Sequence, residues 1–121
     1  PNLIDGKTFY GSSYCIVKEG KIEEFKNKVL SPNGYNLISR GQKQDGNIFY
    51  IVTQDNSNKN KFIWFEQWKD ISSVMKWAVN EENDEFPSPK TIFSDPDILD
   101  LFVDGQFHVE SPTGYTQLVP N

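Results

Sequence analysis

Hydrophobic positions along the chain follow two periods, one of two residues and one near 3.6, and the switches between them give the order of elements. Thr8 to Val17 (TFYGSSYCIV) is rich in strand formers and predicts a first strand, with Gly11 and the two serines after it as the place for a bulge or a late start. From Lys21 the spacing of Ile22, Phe25, Val29 and Leu30 is helical, and Glu23 and Glu24 fall in the first turn, where negative charge suits the helix dipole. Ser31-Pro32 interrupts that helix, yet serine before proline is also a good start for another. A second helical segment from Pro32 to about Gln42 is expected, burying Tyr35, Leu37 and Ile38, with a strand over 35–41 as the alternative.

Asp45-Gly46 is a turn signal, and Asn47 to Asp55 (NIFYIVTQD) predicts a second strand. Asn56 to Asn60 is a polar hairpin connection, which makes the third strand antiparallel to the second. That third strand is the most informative stretch. Phe62, Trp64, Glu66 and Trp68 point one way and Ile63, Phe65 and Gln67 the other, so large apolar groups occupy both faces and each face needs a cover. Helices can cover one face and a second subunit the other. Asp70 is placed to cap the next helix, with Ile71, Val74, Met75 and Ala78 as its buried stripe.

Asn80 to Glu85 with Pro87 and Pro89 reads as a surface excursion, and its acidic spacing is not that of a calcium loop. Asp95-Pro96 opens a short helix over Asp97 to Val103, and Gln106 to Ser111 alternates as a last strand. Residues 1–7 form an N-terminal arm and 112–121 a C-terminal tail that is an edge strand or an arm. The order strand, helix, strand, strand, helix, strand predicts an α+β fold, a ferredoxin-like split βαβ with an antiparallel sheet, as one domain over 1–121.

Composition narrows the function classes. A net charge of -5 argues against nucleic acid, which calls for a basic stripe. No apolar run reaches the roughly 20 residues that span a bilayer, and no signal-peptide pattern opens the chain, so no membrane partner and a cytoplasmic location are expected. Cys15, the single cysteine, sits among apolar neighbours and is expected to be a buried, inert thiol. One His and one Cys cannot assemble a zinc site, so no metal is expected. Nucleotide-binding loops and a nucleophile elbow are absent from the sequence.

Seventeen aromatic residues are more than a core of this size requires and hint at an aromatic-lined cavity or interface. Trp64, Trp68 and Trp77 are candidates for a flat wall against a hydrophobic ligand; core packing is the alternative. Tyr50 is a candidate hydrogen-bond donor to such a ligand or an interface tyrosine. Glu66, between two tryptophans on one face, is a candidate general base if burial raises its pKa, the alternative being an ion pair with Arg40 or a lysine. His108, the only histidine, is a candidate base or a structural strand residue.

Three segments carry a resemblance. They are Lys18-Glu19-Gly20-Lys21 leading into Ile22-Glu23-Glu24-Phe25, Asp45-Gly46 leading into NIFYIVTQD, and above all Phe62 to Asp70, FIWFEQWKD, with its Glu-x-Trp. In these the chain resembles the antibiotic biosynthesis monooxygenase superfamily, the dimeric α+β barrel proteins, over roughly Tyr14 to Val109. The resemblance implies a homodimer with sheets packed face to face, a pocket between sheet and helices in each protomer, and oxidation of a hydrophobic small molecule without metal or flavin cofactor. A non-catalytic binding or interaction dimer of the same fold is the second reading. Family members commonly carry His nine residues after the tryptophan of Glu-x-Trp, where this chain has Trp77. Haem-degrading members add a ligating His on the following helix region and an Asn on the first strand; here 80–90 holds no His, and the strand position is approximately Ser13.

Overall fold

Two strands take the middle of the sheet because each is paired along both edges. In the computed structural model, which describes residues 2–3, 8–79, 86–110 and 118–119, strand order is β3-β4-β2-β5 and every neighbouring pair is antiparallel. The strands are β2 (Phe9–Ile16), β3 (Asn47–Asp55), β4 (Asn58–Trp68) and β5 (His108–Val109). A separate two-stranded pairing joins β1 (Asn2–Leu3) to β6 (Leu118–Val119), so part of the arm and part of the tail meet as edge strands. This is the expected ferredoxin-like α+β arrangement, in which helices lie against one face of an antiparallel sheet.

Helix α1 (Ile22–Phe25) runs directly into a π-helical turn, Lys26–Leu30, and stops at Ser31, whose backbone is extended. The expected helix from Pro32 is shorter than its pattern implies. Residues 32–35 form a turn, Asn36 takes a left-handed φ of 50°, and α2 spans Leu37–Gln42; the strand alternative does not occur. The hairpin between β3 and β4 is also tighter than expected. Asp55 pairs with Asn58, and the Asp55 carboxylate accepts from both the backbone N–H and the hydroxyl of Ser57 at 2.8 Å, so Asn58 to Asn60 belong to the strand. No bulge interrupts β2, which pairs with β4 without a break from Phe9 opposite Trp68 to Ile16 opposite Lys61; the two irregularities sit in the pairing of β3 with β4, between Asn47 and Phe49 and between Gln54 and Asp55.

Asp70 caps α3 (Ile71–Val79) as its chemistry suggests, accepting the Ser73 N–H at 2.8 Å. The buried stripe differs from the expected one. Val74 and Trp77 go inward, while Ile71 and Met75 are about half exposed, because the helix turns its tryptophan onto Tyr50 and Trp68 of the sheet. Proline-rich 87–89 holds a short helix that the sequence reading missed, α4 (Pro89–Ile92), with Ser88 as its N-cap. Asp95 caps α5, which spans only Pro96–Leu99 rather than reaching Val103; Phe102 instead bridges to Val17. Within 106–110, the described part of the expected last strand, only His108–Val109 is strand, and Ser111 lies outside the described residues. The acidic run 80–85 lies outside the described residues.

The core sits between helices and sheet. Phe25, Val29, Leu37, Phe62, Trp64, Trp68, Ile92, Ile98 and Phe102 are all at or below 2% exposure. The other sheet face is left open by the described residues and presents Phe49, Ile51 and Phe65 at 38%, 43% and 40% exposure. Among the described residues no helix is long and apolar enough to cross a membrane.

Candidate functional site

Antiparallel pairing places directly opposite residues on the same face, so register alone assembles the centre of the site. Tyr50, Glu66 and Gly11 form one row across β3, β4 and β2, and Val52, Trp64, Ser13 and Val109 form the next. Both rows face the helices. At Gly11 and Ser13 the central strand has almost no side chain where its neighbours carry aromatic rings, and the room left above them is a cavity of about 380 Å³. That volume lies within the range of small-molecule sites, which run from about 300 to 1,000 Å³.

The cavity is walled by Phe9, Tyr50, Trp64, Phe93 and Phe107 and roofed by Val74, Met75, Trp77 and Ala78 of α3, and Lys90 and Glu110 are the other charged residues of its lining. Its rings support one another. Phe93 stacks on Phe107 with centroids 3.8 Å apart, and Trp64 meets both edge-on at 5.8 and 4.9 Å. Trp77 meets Tyr50 edge-on at 5.8 Å and stacks at 6.4 Å on Trp68, which lies behind the wall and is fully buried.

Glu66 is the buried acid set among these rings. Burial pushes its pKa up to about 7, partly offset by the Trp68 indole N–H, which donates to Oε1 at 2.9 Å. The alternative of an ion pair with Arg40 or a lysine does not hold: among the described residues Glu66 has no salt bridge. Arg40 donates instead to the carbonyl oxygens of Tyr35, Phe86 and Pro87 at 2.9 to 3.2 Å and lies over the rings of Trp77 and Phe86. It thereby ties α2 to the chain beyond α3 at the back of the Trp77 wall.

Tyr50 is held as a neutral phenol. Burial first, and the nearby negative charge of Glu66 second, push its pKa well above the usual value, against the opposing pull of the Trp64 and Trp77 indoles and Arg40. The Trp64 indole is close enough to favour a phenolate there but does not reach hydrogen-bond geometry with the hydroxyl, and its buried Nε1 has no partner. Cys15 is fully buried, and burial pushes its thiol far up, the state of an inert structural cysteine. Among the described residues no group of three or more His, Cys, Asp and Glu could hold a metal ion.

Of the residues singled out in the sequence, Glu66, Trp64, Trp77 and Tyr50 are brought together at the cavity and Trp68 braces Glu66 from behind. His108 is not among them. Pairing with Tyr14 puts it on the opposite face of the sheet, where its ring stacks on Tyr14 at 4.5 Å and Nε2 lies 2.5 Å from Asp104 Oδ2. A histidine there cannot reach a ligand beside Glu66, so the sheet itself separates the two candidate bases. The sequence reading missed Phe93 and Phe107, and missed that Gly11 and Ser13 open the cavity; small residues inside an otherwise aromatic strand set were the available signal.

A profile of the antibiotic biosynthesis monooxygenase family matches residues 14–86, from within β2 to Phe86, one of the residues that Arg40 holds. No curated protein matches. Among solved structures, a conserved protein of Methanosarcina mazei is 25% identical with a TM-score of 0.64, over 87% of this chain and 90% of its own. A Shewanella oneidensis protein superposes with a TM-score of 0.69 at 18% identity, covering 96% and 95%. A Bacteroides thetaiotaomicron protein, provisionally named as an antibiotic biosynthesis monooxygenase, reaches 0.63 at 14% identity over 94% and 92%. On the family profile and the fold together, the chain belongs to the antibiotic biosynthesis monooxygenase family.

Proposed function

We propose that the protein binds a hydrophobic small molecule in the Glu66 cavity, that it works as a homodimer, and that Glu66 is the proton-accepting group if the bound molecule is oxidised. One observation carries the reading: a carboxyl group with its pKa at about 7 faces an apolar, aromatic-walled space and forms no salt bridge among the described residues. Such an acid is about half ionised at neutral pH and can both take a proton and return it. Trp64, Trp77 and Tyr50 supply the ring surface, and the neutral Tyr50 hydroxyl supplies a donor.

As oxidation, the chemistry balances with dioxygen as the co-substrate. Glu66 takes a proton from an activated CH₂ of the substrate, the resulting carbanion forms a bond to dioxygen, and Glu66 returns its proton to the peroxide. Loss of the remaining C–H proton with cleavage of the O–O bond releases water and leaves a carbonyl. The apolar walls exclude bulk water from the carbanion.

The second face of the sheet supports the dimer. Phe49, Ile51 and Phe65 form an apolar surface that the described residues leave open, and family members commonly dimerise. A binding protein without turnover is the second reading, favoured by Trp77 at the position where family members commonly carry histidine.

Native mass spectrometry of freshly purified protein tests binding and assembly together. The expected spectrum is a dimer with a small apolar adduct; a bare monomer contradicts both parts. Glu66→Gln then separates the two readings: oxygen consumption lost with ligand binding kept supports catalysis by Glu66, and an unchanged rate removes Glu66 as the base.

A further inference from the structure

Phe9 is half-buried, lines the cavity, and rests its ring on Gly11: a Cβ added at Gly11 would stand 2.8 Å from Phe9 Cε1. A side chain at Gly11 would point to the cavity face, because Gly11 shares a row with Glu66 and Tyr50. The Phe9 ring therefore takes the place of a Gly11 side chain, and Glu66 has Tyr50 on one side and Phe9 on the other. Strand β5 does not reach this point. It pairs with Ser13 and Tyr14, and the Glu110 N–H donates to the Ser12 carbonyl, so no described strand flanks Gly11 on the side away from β4. The Phe9 ring is the aromatic wall there. It also differs from the other walls, since Phe93, Phe107 and Trp64 brace one another and Tyr50 is braced by Trp77, whereas among the described residues Phe9 has no ring contact with another aromatic.

We propose that Phe9 is a specificity-determining residue that holds the space over Glu66 to the width of one ring and so selects slender, rod-shaped aromatic molecules over broad ones. This rests on the reading of the Glu66 cavity as a ligand site. The strands carrying Tyr50 and Gly11 lie on either side of β4, about 9.5 Å apart, and the two rings take up part of that span. What remains over the carboxyl group admits a single ring. Along the strand no such limit applies: the Trp64 row is about 7 Å further on, and the cavity continues there over Ser13 towards Phe93 and Phe107. A molecule whose rings follow one another in line fits with one end at Glu66. A bent molecule of the same formula has to push the Phe9 ring off Gly11 and towards water. The ring can yield, because no neighbouring ring braces it, so the selection is graded rather than absolute.

The test uses the intact protein and two isomeric probes, 4-phenylphenol and 2-phenylphenol, which share their formula and their hydroxyl and differ in shape. Each is titrated by calorimetry into the wild type and into Phe9→Ala. The wild type is expected to bind 4-phenylphenol about tenfold more tightly than 2-phenylphenol, and in Phe9→Ala the two affinities should come within about twofold, through a gain for the bent isomer. A residue that only supports the fold would change both affinities together and leave their ratio alone. Equal affinities in the wild type, or a ratio that Phe9→Ala does not alter, overturn the proposal and leave the cavity standing as a ligand site. Failure of both probes to bind the wild type overturns the ligand-site reading, and this proposal with it. Should Phe9→Ala fail to fold, Phe9→Leu keeps apolar bulk on the strand without the flat ring, and its affinity ratio decides the question by the same criteria.

Discussion

Trp68 and Glu66 lie two residues apart on one face of β4, and the Trp68 indole N–H donates to Glu66 Oε1 across 2.9 Å. The family's Glu-x-Trp signature thus acts here as a carboxylate and the donor that restrains it. Without that donor only burial acts on Glu66. Trp68→Phe is predicted to raise the Glu66 pKa further, by about one unit, because a hydrogen bond to a charged group contributes on the order of 1.5 kcal/mol. The pH midpoint of ligand binding or turnover should rise with it; an unmoved midpoint would show that the bond does not control the acid.

Stability should carry the same signature. A carboxyl with its folded pKa at about 7 binds more protons in the native than in the unfolded chain between roughly pH 4.5 and 7, so stability is fully present below the unfolded pKa and falls as pH rises through the folded one. Above pH 7 the cost of holding the ionised group is at most about 3 kcal/mol. Glu66→Gln keeps an oxygen for the Trp68 N–H and removes the charge. Urea unfolding at pH 5 and pH 8 should show the variant gaining on the wild type only at the higher pH; an equal difference at both would contradict the burial account.

Assembly has its own test. Phe65 pairs with Ile51 and Ser12 on the sheet face away from the cavity and is 40% exposed, so a lysine there can reach water in a single chain but not between two sheets. Phe65→Lys is expected to elute at half the wild-type mass in light-scattering chromatography, with its circular dichroism unchanged. A wild-type and variant of equal mass would rule this face out as the interface.

Behind the cavity, Gly41 of α2 lies flat on the Tyr50 ring: a Cβ added there would stand 2.9 Å from Tyr50 Cγ and Cδ1. The ring is itself packed against Trp68 and Trp77 and has nowhere to retreat except toward Glu66. Gly41→Ala is predicted to cost about 1–3 kcal/mol and to reduce the cavity. Thermal melting together with probe affinity checks both effects.

How much of this was visible in the sequence depended on whether the deciding contacts were local. The doubly apolar β4, the Asp70 cap and the aromatic company of Glu66 follow from neighbours along the chain, and the structure keeps all three. The buried stripe of α3 did not follow. Ile71, Val74, Met75, Ala78 and the pair Val74, Trp77 both satisfy helical spacing, and only the position of Tyr50 and Trp68 beneath the helix selects the second. Likewise the alternation at Phe107 and His108 says that the two side chains diverge, not which one faces Glu66. That is set by the pairing of His108 with Tyr14, nearly a hundred residues away. Arg40, the one arginine, was an alternative partner for Glu66; its fork geometry suits the carbonyl oxygens of Tyr35, before α2, and of Phe86 and Pro87, beyond α3, instead.

The account rests on Glu66 being a carboxyl group that its apolar surroundings hold partly protonated at neutral pH. The most direct measurement is a pH titration of the Glu66 side-chain carboxyl carbon by NMR in ¹³C-labelled wild-type protein, assigned with Glu66→Gln. The expected midpoint is near 7, rising when an apolar ligand fills the cavity and displaces water. A midpoint near the ordinary glutamate value, about 4.3, would mean that solvent or a cation reaches the carboxylate, and the cavity would lose its base.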